Sequence, residues 1–289
     1  MGILAGRFAP SPTGPLHMGS LLAATASYLD ARARGGQWLL RIDDIDTYRC
    51  IPGATEQILQ TLEAHGLWWD GSVQYQSENL AEYQAALDLL AQRNDIFYCN
   101  CSRRSLAAKG AYPGKCRGNQ QPLEDAAIRI RVAAAIVEFT DLLQGQQIER
   151  LAESVGDFII RRRDGLIAYQ LATAIDDGNP RISHVVRGSD LLGNTARQLY
   201  LMQQLNLATP VYAHIPTLNG ADGRKLSKQN HAPAVADDQA LENLLTAFGY
   251  LGLHPPTQSP HWDITSLLDW GCEHWSLEQL QGQTSVCVD

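Results

Sequence analysis

The N-terminal part of the chain places two apolar runs on either side of a helical pattern, which strongly limits its possible folds. Residues 3–6 (ILAG) are a short apolar run, and a loop rich in proline and glycine follows them. The segment 21–34 (LLAATASYLDARAR) then repeats apolar residues at helical spacing, and a Gly-Gly turn leads to the second apolar run, WLLRI. This order predicts a βαβ unit, whose two parallel strands are joined by a right-handed crossover.

Length, composition and cysteine content exclude several classes of protein. The chain has 289 residues, of which 45% are hydrophobic, and it contains no apolar run long enough to span a membrane. Its first residues lack a basic segment followed by a long apolar stretch, so no secretory signal is expected, and six cysteines are too few for a disulfide scaffold of this length. The net charge of −8 argues against broad coating of nucleic acid, although local basic clusters such as residues 161–163 are present. These properties predict a cytoplasmic protein that makes no membrane contact. Separately, and not from composition, we expect a monomer.

The rest of the chain predicts an α/β protein. Helical patterns cover 53–66, 79–94 and 194–206, and strands are expected within 126–132 and 157–165. Regularity fails between 97 and 122, where cysteine, glycine and basic residues accumulate, and 218–233 is a polar loop. We expect a catalytic domain over 1–236 with a Rossmann-like parallel sheet and an insertion at 97–122, followed by a small, mostly helical region over 237–289.

Two loops suggest a site for phosphate. In RFAPSPTGPLHMGS, Gly14 and Gly19 allow close backbone approach, and His17 lies at the entry of a helix whose free N–H groups attract anions. The loop fits neither the Walker pattern nor the dinucleotide fingerprint. An isolated His-x-Gly is more often an ordinary surface turn. The second loop, KLSKQ (225–229), is either a solvated charge run or a means of bringing a lysine to a developing pyrophosphate.

Taken together, the motifs resemble those of class I aminoacyl-tRNA synthetases. HMGS is similar to the HIGH motif and KLSKQ to the KMSKS motif, while RFAPSPTGPLHMGS followed by RIDDID resembles the glutamyl and glutaminyl branch. The resemblance continues through DFIIRRRDGLIAY and VVRGSDLL. Within the branch, it is closest to truncated paralogues that attach glutamate to queuosine, a modified base of tRNA(Asp). The anticodon-binding domain of a full glutamyl-tRNA synthetase is not expected here.

The resemblance implies a set of site residues. Binding of L-glutamate is implied for Arg7, Phe8, Ala9, Pro10, Ser11, Asp43, Tyr169 and Arg187, and binding of ATP for His17, Gly19, Lys225 and Lys228. Of these, His17, Gly19 and Lys228 are the expected catalytic residues.

Some of these residues have simpler interpretations. Asp43 stands where glutamate is commoner, which shortens its reach by one methylene, and by itself it could be a solvated strand end. Tyr169 could equally be a packed core tyrosine. Arg187 follows two valines and therefore needs an anionic partner, either a substrate or an acid such as Asp190.

The cysteine segment suggests a metal. Cys99 and Cys101 form a C-x-C pair and Cys116 follows, but three cysteines alone do not complete a tetrahedral zinc site. The resemblance implies Tyr112 as the fourth ligand of a structural Zn²⁺; a water, another side chain, or three reduced cysteines without metal are the alternatives. Basic residues around the segment are consistent with a face that meets RNA phosphates; they are Arg103, Arg104, Lys109, Lys115 and Arg117.

The implied reaction has two steps. Glutamate and ATP, with Mg²⁺, form glutamyl-adenylate, and a queuosine hydroxyl in the anticodon loop of tRNA(Asp) then accepts the glutamyl group.

Three alternative functions remain: a short glutamyl-tRNA synthetase that charges the tRNA 3′ end, a noncatalytic zinc-containing RNA-binding paralogue, and a small-molecule nucleotidyltransferase that shares the His-x-Gly loop. Exchange of pyrophosphate in the presence of glutamate distinguishes an enzyme from a binding module.

Overall fold

The computed structural model describes residues 4–102, 111–220, 233–256 and 262–288. The N-terminal βαβ unit is present as expected, with β1 (Ala5–Phe8), α1 (Met18–Ala33) and β2 (Gln37–Ile42). β1 and β2 are parallel, so that Ala5 lies opposite Gln37. Gly35 has a φ of +65°, a conformation that glycine adopts without strain, and it allows the short turn between α1 and β2.

The remaining elements alternate between helix and strand over most of the described chain. The further helices are α2 (Ala54–Ala64), α3 (Leu80–Gln92), α4 (Leu151–Ser154), α5 (Tyr169–Asp177), α6 (Leu192–Leu205), α7 (Ala240–Tyr250) and α8 (Ile264–His274). The further strands are β3 (Gln74–Tyr75), β4 (Ile96–Cys99), β5 (Ala127–Ile130), β6 (Ile136–Asp141), β7 (Gly145–Arg150), β8 (Ile159–Arg161), β9 (His184–Gly188), β10 (Val211–Ile215), β11 (Thr217–Asn219) and β12 (Ser285–Cys287).

Parallel strands form the centre of the molecule and confirm the α/β class. One sheet has the order β1-β2-β3 and another the order β7-β6-β10-β9. They adjoin where β1 contacts β9, and Ser183 N donates a hydrogen bond to Ala5 O at 2.9 Å. The strand β7 is an antiparallel edge formed by a hairpin with β6, which the sequence did not predict. The carboxyl ends of parallel strands are where such sheets bind ligands.

A smaller antiparallel sheet carries the cysteine segment. It has the order β4-β5-β8, and its last two strands confirm the expectation for 126–132 and 157–165. One boundary differs from expectation: regular structure does not end at Phe97, because β4 continues to Cys99. Phe97 and Cys99 are both buried and hold this end of the strand against the segment that follows.

The described residues after 237 are mostly helical and include one short strand. The helices α7 and α8 pack against α1, and Phe248 and Leu267 share an apolar core with Leu22. The strand β12 pairs in parallel with β11, an addition to the expected helices that returns the chain to the end of the central sheet. None of the helices in the described ranges is long and apolar enough to cross a membrane.

Candidate active site

A cleft of about 600 Å³ opens at the carboxyl ends of the central strands. Every residue expected to bind glutamate lines it: Arg7, Phe8, Ala9, Pro10, Ser11, Asp43, Tyr169 and Arg187. His17 and Gly19, expected to contact ATP, line the same cleft. The structure thus brings together residues from β1, the loop at 9–17 between β1 and α1 (the opening loop), the end of β2, α5 and β9. Lys225 and Lys228 lie outside the described residues.

The residues that flank KLSKQ (225–229, the lysine segment) lie beside the opening loop. Before the segment, Thr217 and Leu218 line the cleft. After it, Ala234 forms an antiparallel bridge with His17, and Val235 N donates to Leu16 O at 3.0 Å. Both flanks of KLSKQ are therefore attached to the wall of the cleft.

The opening loop is fastened to β2 and leads into the first turn of α1. Asp43 N donates to Pro10 O at 2.9 Å. His17 is the N-cap of α1, and its Nδ1 accepts a hydrogen bond from Ser20 N at 3.3 Å. An accepting Nδ1 places the proton of a neutral imidazole on Nε2, which lies 3.2 Å from Ser20 Oγ. The N-terminal end of α1, with these polar side chains beside it, suits a phosphate.

A buried group of charges forms the floor of the cleft. Arg7 donates to both carboxylate oxygens of Asp177, from Nε at 3.0 Å and from Nη2 at 2.7 Å. Arg41 Nη1 donates to the same carboxylate at 2.8 Å, and Arg41 Nε donates to Asp43 at 2.7 Å. All four side chains are buried. Asp177 therefore positions Arg7 and Arg41 relative to each other.

The pKa values of the two carboxyls move in opposite directions. Burial acts to raise the pKa of Asp177, but the charges of Arg7 and Arg41 hold that pKa well below its usual range. Burial raises the pKa of Asp43 to about 6, against the opposing charge of Arg41. Asp43 is thus a carboxylate that ionises near neutral pH, and it lines the cleft where an ammonium group could share it with Arg41.

Arg187 is held by uncharged partners. Its Nε donates to His214 Nε2 at 3.0 Å, and its Nη2 donates to Thr195 Oγ1 at 2.8 Å and to Gln198 Oε1 at 2.7 Å. Its Nη1 is buried and has no hydrogen-bond partner in the described parts of the chain. Asp190, the acid considered from the sequence, lines the same cleft. A buried guanidinium with an unused donor beside a cleft suits an anionic ligand.

Tyr169 lies at the cleft and is partly exposed. It is the first residue of α5 and lines the cleft, and it is 37% exposed. A packed core tyrosine would be buried, so this alternative does not match the structure.

The cysteine segment forms a compact cluster of sulfurs. The Sγ atoms of Cys99, Cys101 and Cys116 all lie within 4.8 Å of one another. Tyr112 Oη is 3.5 Å from Cys99 Sγ and accepts a hydrogen bond from Cys116 N at 3.0 Å. Sulfurs around a tetrahedral zinc with bonds of about 2.3 Å are about 3.8 Å apart. The three sulfurs and the phenol oxygen are therefore close enough to move onto one metal ion.

The environment of the cluster favours a thiolate. Burial acts to raise the pKa of Cys99, but hydrogen bonds from Tyr112 and Arg129 outweigh burial and lower that pKa to about 7. Arg117, one of the expected RNA contacts, has its guanidinium bound to both oxygens of Asp157 at 2.6 and 2.8 Å. Lys115 is exposed. Arg103, Arg104 and Lys109 fall in a part of the chain that the structure does not describe.

The sequence did not identify several residues that position the site. They are Arg41, Asp141, Asp176, Asp177 and His214, all of which lie within hydrogen-bonding or ion-pairing distance of one another or of Arg7 and Arg187. A signal existed for Asp177, because LIAYQLATAIDD places two acids at the end of an amphipathic pattern. Such a helix end is usually solvated, and nothing local to it shows that its partners are on β1 and β2.

Comparison with known proteins agrees with this geometry. Residues 4–248 match a family described as tRNA synthetases class I (E and Q), catalytic domain. A Glutamyl-Q tRNA(Asp) synthetase of Ectopseudomonas mendocina is 50% identical over 271 residues, which cover 93% of this chain and 92% of that protein. One of Methylococcus capsulatus is 48% identical over 278 residues, which cover 95% of this chain and 92% of that protein.

The fold also matches a solved structure. A crystal structure of the glutamate-tRNA synthetase from Elizabethkingia anophelis superposes with a TM-score of 0.81 at 22% identity. The match covers 99% of this chain and 68% of that one. At this identity the likeness establishes the fold.

Proposed function

Because the chain belongs to the class I tRNA synthetase family (E and Q), we propose that it activates glutamate with ATP and transfers the glutamyl group to queuosine in tRNA(Asp). The relatives from Ectopseudomonas and Methylococcus are named Glutamyl-Q tRNA(Asp) synthetase, and they match nearly the whole chain. The observation that carries the proposal is a cleft lined by the opening loop and by three buried arginines, Arg7, Arg41 and Arg187, with Ala234 bridged to His17 of the same loop.

Glutamate has complementary groups on the floor of this cleft. Arg187 Nη1 is buried without a partner among the residues described, and Arg7 Nη1 is not used in binding Asp177, so both offer donors to a carboxylate. Asp43 offers a carboxylate to the substrate ammonium. The Asp43 side chain is one methylene shorter than a glutamate residue at this position would be. Arg41 Nε donates a hydrogen bond to it at 2.7 Å.

Adenylate formation needs positioning and charge stabilisation more than proton transfer. In this step the α-carboxylate of glutamate attacks the α-phosphate of ATP and pyrophosphate leaves. His17 Nε2 and the N–H groups at the start of α1 would bind phosphate oxygens. Lys228 would stabilise the charge that develops on the leaving pyrophosphate. Mg²⁺ bound with ATP supplies further neutralisation of phosphate charge.

In the second step, a hydroxyl of the queuosine cyclopentenediol attacks the acyl carbon and AMP leaves. The acceptor base must enter the cleft to reach this carbon, and RNA loops present unstacked bases that can do so. Tyr169, which is partly exposed in the cleft, and Arg49, whose exposed side chain also lines it, are available to contact the incoming loop.

The cysteine cluster is proposed to hold a structural Zn²⁺. The residues fit such an ion because three sulfurs within 4.8 Å and a neighbouring phenol oxygen make four ligands of the types zinc binds. Cys99, Cys101, Tyr112 and Cys116 would supply these ligands. A metal here would fasten the segment after β4 to β4 itself, in a region with few apolar side chains.

Mapping of the attached glutamate tests the proposal. Radiolabelled glutamate and ATP are supplied with tRNA(Asp) that contains queuosine, with unmodified tRNA(Asp), and with tRNA(Glu), and nuclease fragments locate the label. We expect label only in the anticodon fragment of the queuosine-containing tRNA, and unchanged labelling when its 3′ adenosine is removed. Label at the 3′ end of tRNA(Glu) would identify a glutamyl-tRNA synthetase, and no label on any RNA would favour the binding module.

A further inference from the structure

We propose that His214 and Asp141 are positioning residues that hold the Arg187 guanidinium in its substrate-binding orientation. The inference rests on the proposed function, because the carboxylate of glutamate is the anion that Arg187 would bind. Neither His214 nor Asp141 lines the cleft, so both would act through Arg187.

The strand register brings the three side chains together. β9 and β10 are parallel neighbours, and Arg187 lies directly opposite His214 in that ladder. β6 follows on the other side of β10, and its last residue, Asp141, lies opposite Tyr212, two residues before His214. Paired residues of adjacent strands, and residues two apart on one strand, project from the same face of a sheet. The register therefore puts Arg187, His214 and Asp141 on one face, in the order of their strands.

In the row formed by Arg187, His214 and Asp141, each side chain donates a hydrogen bond to the next. Arg187 Nε is always a donor, so the His214 Nε2 that it contacts at 3.0 Å must be the unprotonated acceptor. The imidazole proton is then on Nδ1, which donates to Asp141 Oδ2 at 2.6 Å. Asp141 Oδ1 accepts from the backbone N–H groups of Leu143, Gln144 and His214 at 3.0, 2.9 and 3.1 Å. Asp141 thus fixes both the tautomer and the orientation of the histidine.

Burial keeps this arrangement in one protonation state. His214 is 0% exposed, and burial lowers its pKa, with the nearby charges of Arg187 and Arg7 acting in the same direction and Asp141 opposing them. A protonated imidazole would turn an N–H toward the Arg187 Nε–H and break the row. The neutral histidine therefore suits its position beside a permanent cation.

The row determines which part of Arg187 remains for a ligand. His214, Thr195 and Gln198 together occupy Nε and Nη2, and Nη1 is left buried without a partner among the described residues. If His214 no longer accepted a hydrogen bond from Nε, the guanidinium could rotate, and Nη1 would no longer be the donor left for the ligand. A correctly positioned Arg187 Nη1 would strengthen binding of the glutamate carboxylate in the ground state. We therefore expect loss of this positioning to lower the affinity for glutamate.

Two variants of His214 separate positioning from packing. His214→Gln can place its amide oxygen near the former Nε2 and keep an acceptor for Arg187. His214→Asn can keep a donor for Asp141 but has no acceptor that reaches Arg187. Both bury a neutral amide of similar polarity, so a purely structural role predicts similar losses of melting temperature and of activity in the two variants.

Glutamate-dependent exchange of pyrophosphate into ATP provides the measurement. We expect His214→Asn to raise the KM for glutamate about tenfold or more, the scale of one hydrogen bond to a charged group, with kcat and the KM for ATP within about twofold. We expect His214→Gln to keep the KM for glutamate within about threefold of the wild-type value. Asp141→Asn should also raise the KM for glutamate selectively, because it releases the histidine tautomer.

Equal increases in the KM for glutamate in the two His214 variants, or parallel losses in kcat and in the KM for ATP, would overturn the inference. If His214→Asn does not fold, Asp141→Asn decides: an unchanged KM for glutamate in that variant also overturns it. The wild-type protein is measured first. Absence of glutamate-dependent exchange in the wild type would refute the proposed function itself, which separates that failure from a failure of this inference.

Discussion

Ala234 forms an antiparallel bridge with His17, so the chain that follows the KLSKQ segment lies against the first turn of α1. The residues before the segment, Thr217 and Leu218, line the same cleft as His17. The described residues on both sides of the lysine segment therefore lie beside the cleft that contains the opening loop. The proposed function has these two motifs, far apart in sequence, act on one nucleotide.

Lys228→Ala should slow adenylate formation far more than it weakens glutamate binding. The charge of Lys228 would act on the pyrophosphate that forms in the transition state, so its loss affects the rate more than the ground state. We expect a decrease of about 100-fold or more in the rate of adenylate formation, the scale of a lost transition-state contact. Single-turnover kinetics with labelled ATP measure this rate, and Lys225→Ala is the matched control with a smaller loss. Equal losses in rate and in glutamate affinity would contradict the assignment.

Glutamate binding should strengthen as pH rises through about 6, because the pKa of Asp43 is raised to about 6 and only the carboxylate can bind the substrate ammonium. Because the pKa of Asp43 is higher in the folded state, its protonation contributes to the free energy of unfolding at low pH. This contribution is lost as the pH rises through about 6. A profile of kcat/KM for glutamate between pH 5 and 8 should show an acid limb that Asp43→Asn removes, together with a steep rise in the KM for glutamate. An identical limb in the variant would assign it to another group.

Asp177→Asn should destabilise the protein and weaken glutamate binding together. Asp177 is fully buried and binds both Arg7 and Arg41, so removal of its charge leaves two buried guanidinium groups without their shared partner. The loss in free energy of unfolding should be about 3–5 kcal/mol. Urea unfolding measures it, and Asp164→Asn, which removes the charge from a partly exposed pair with Arg162, is a matched control expected to cost much less. Equal costs for the two variants would contradict the proposed role of Asp177.

Removal of metal should unfold the cysteine segment before it affects the central sheet. Cys116→Ser should abolish bound zinc, measured by atomic emission, and lower the melting temperature, because the ion would link Cys116 to the end of β4. Tyr112→Phe keeps three sulfurs and should weaken zinc binding without abolishing it. Cys287→Ser changes an exposed cysteine outside the cluster and should leave zinc content unchanged. Wild-type protein purified without any zinc and with full stability would contradict a structural metal.

The sequence was sufficient for features that depend on local patterns. The βαβ unit, the helix that ends before Gly66 and the strands around residues 128 and 160 follow from periodicity and turn residues. Arg7, His17 and Arg187 were identified because they belong to motifs of consecutive residues. Such features are fixed by the chain near them, and the structure places Arg7, His17 and Arg187 along one cleft.

Features that depend on distant partners could not be predicted. Arg7 and its carboxylate partner Asp177 are 170 positions apart, and Asp141 and His214 are 73 positions apart. The β6–β7 hairpin was missed for another reason: Ile136 and Ile148 point to solvent, with exposures of 49% and 57%. These exposed apolar residues hide the alternation that would have marked the two strands.

Pyrophosphate exchange by the wild-type protein most directly tests whether glutamate and ATP meet in this cleft. Purified protein is incubated with ATP, Mg²⁺ and labelled pyrophosphate, with and without L-glutamate, and in the presence and absence of tRNA(Asp). We predict label in ATP that depends on glutamate, saturates with it, and falls sharply in Arg187→Ala. No glutamate-dependent label under any of these conditions would contradict the central claim.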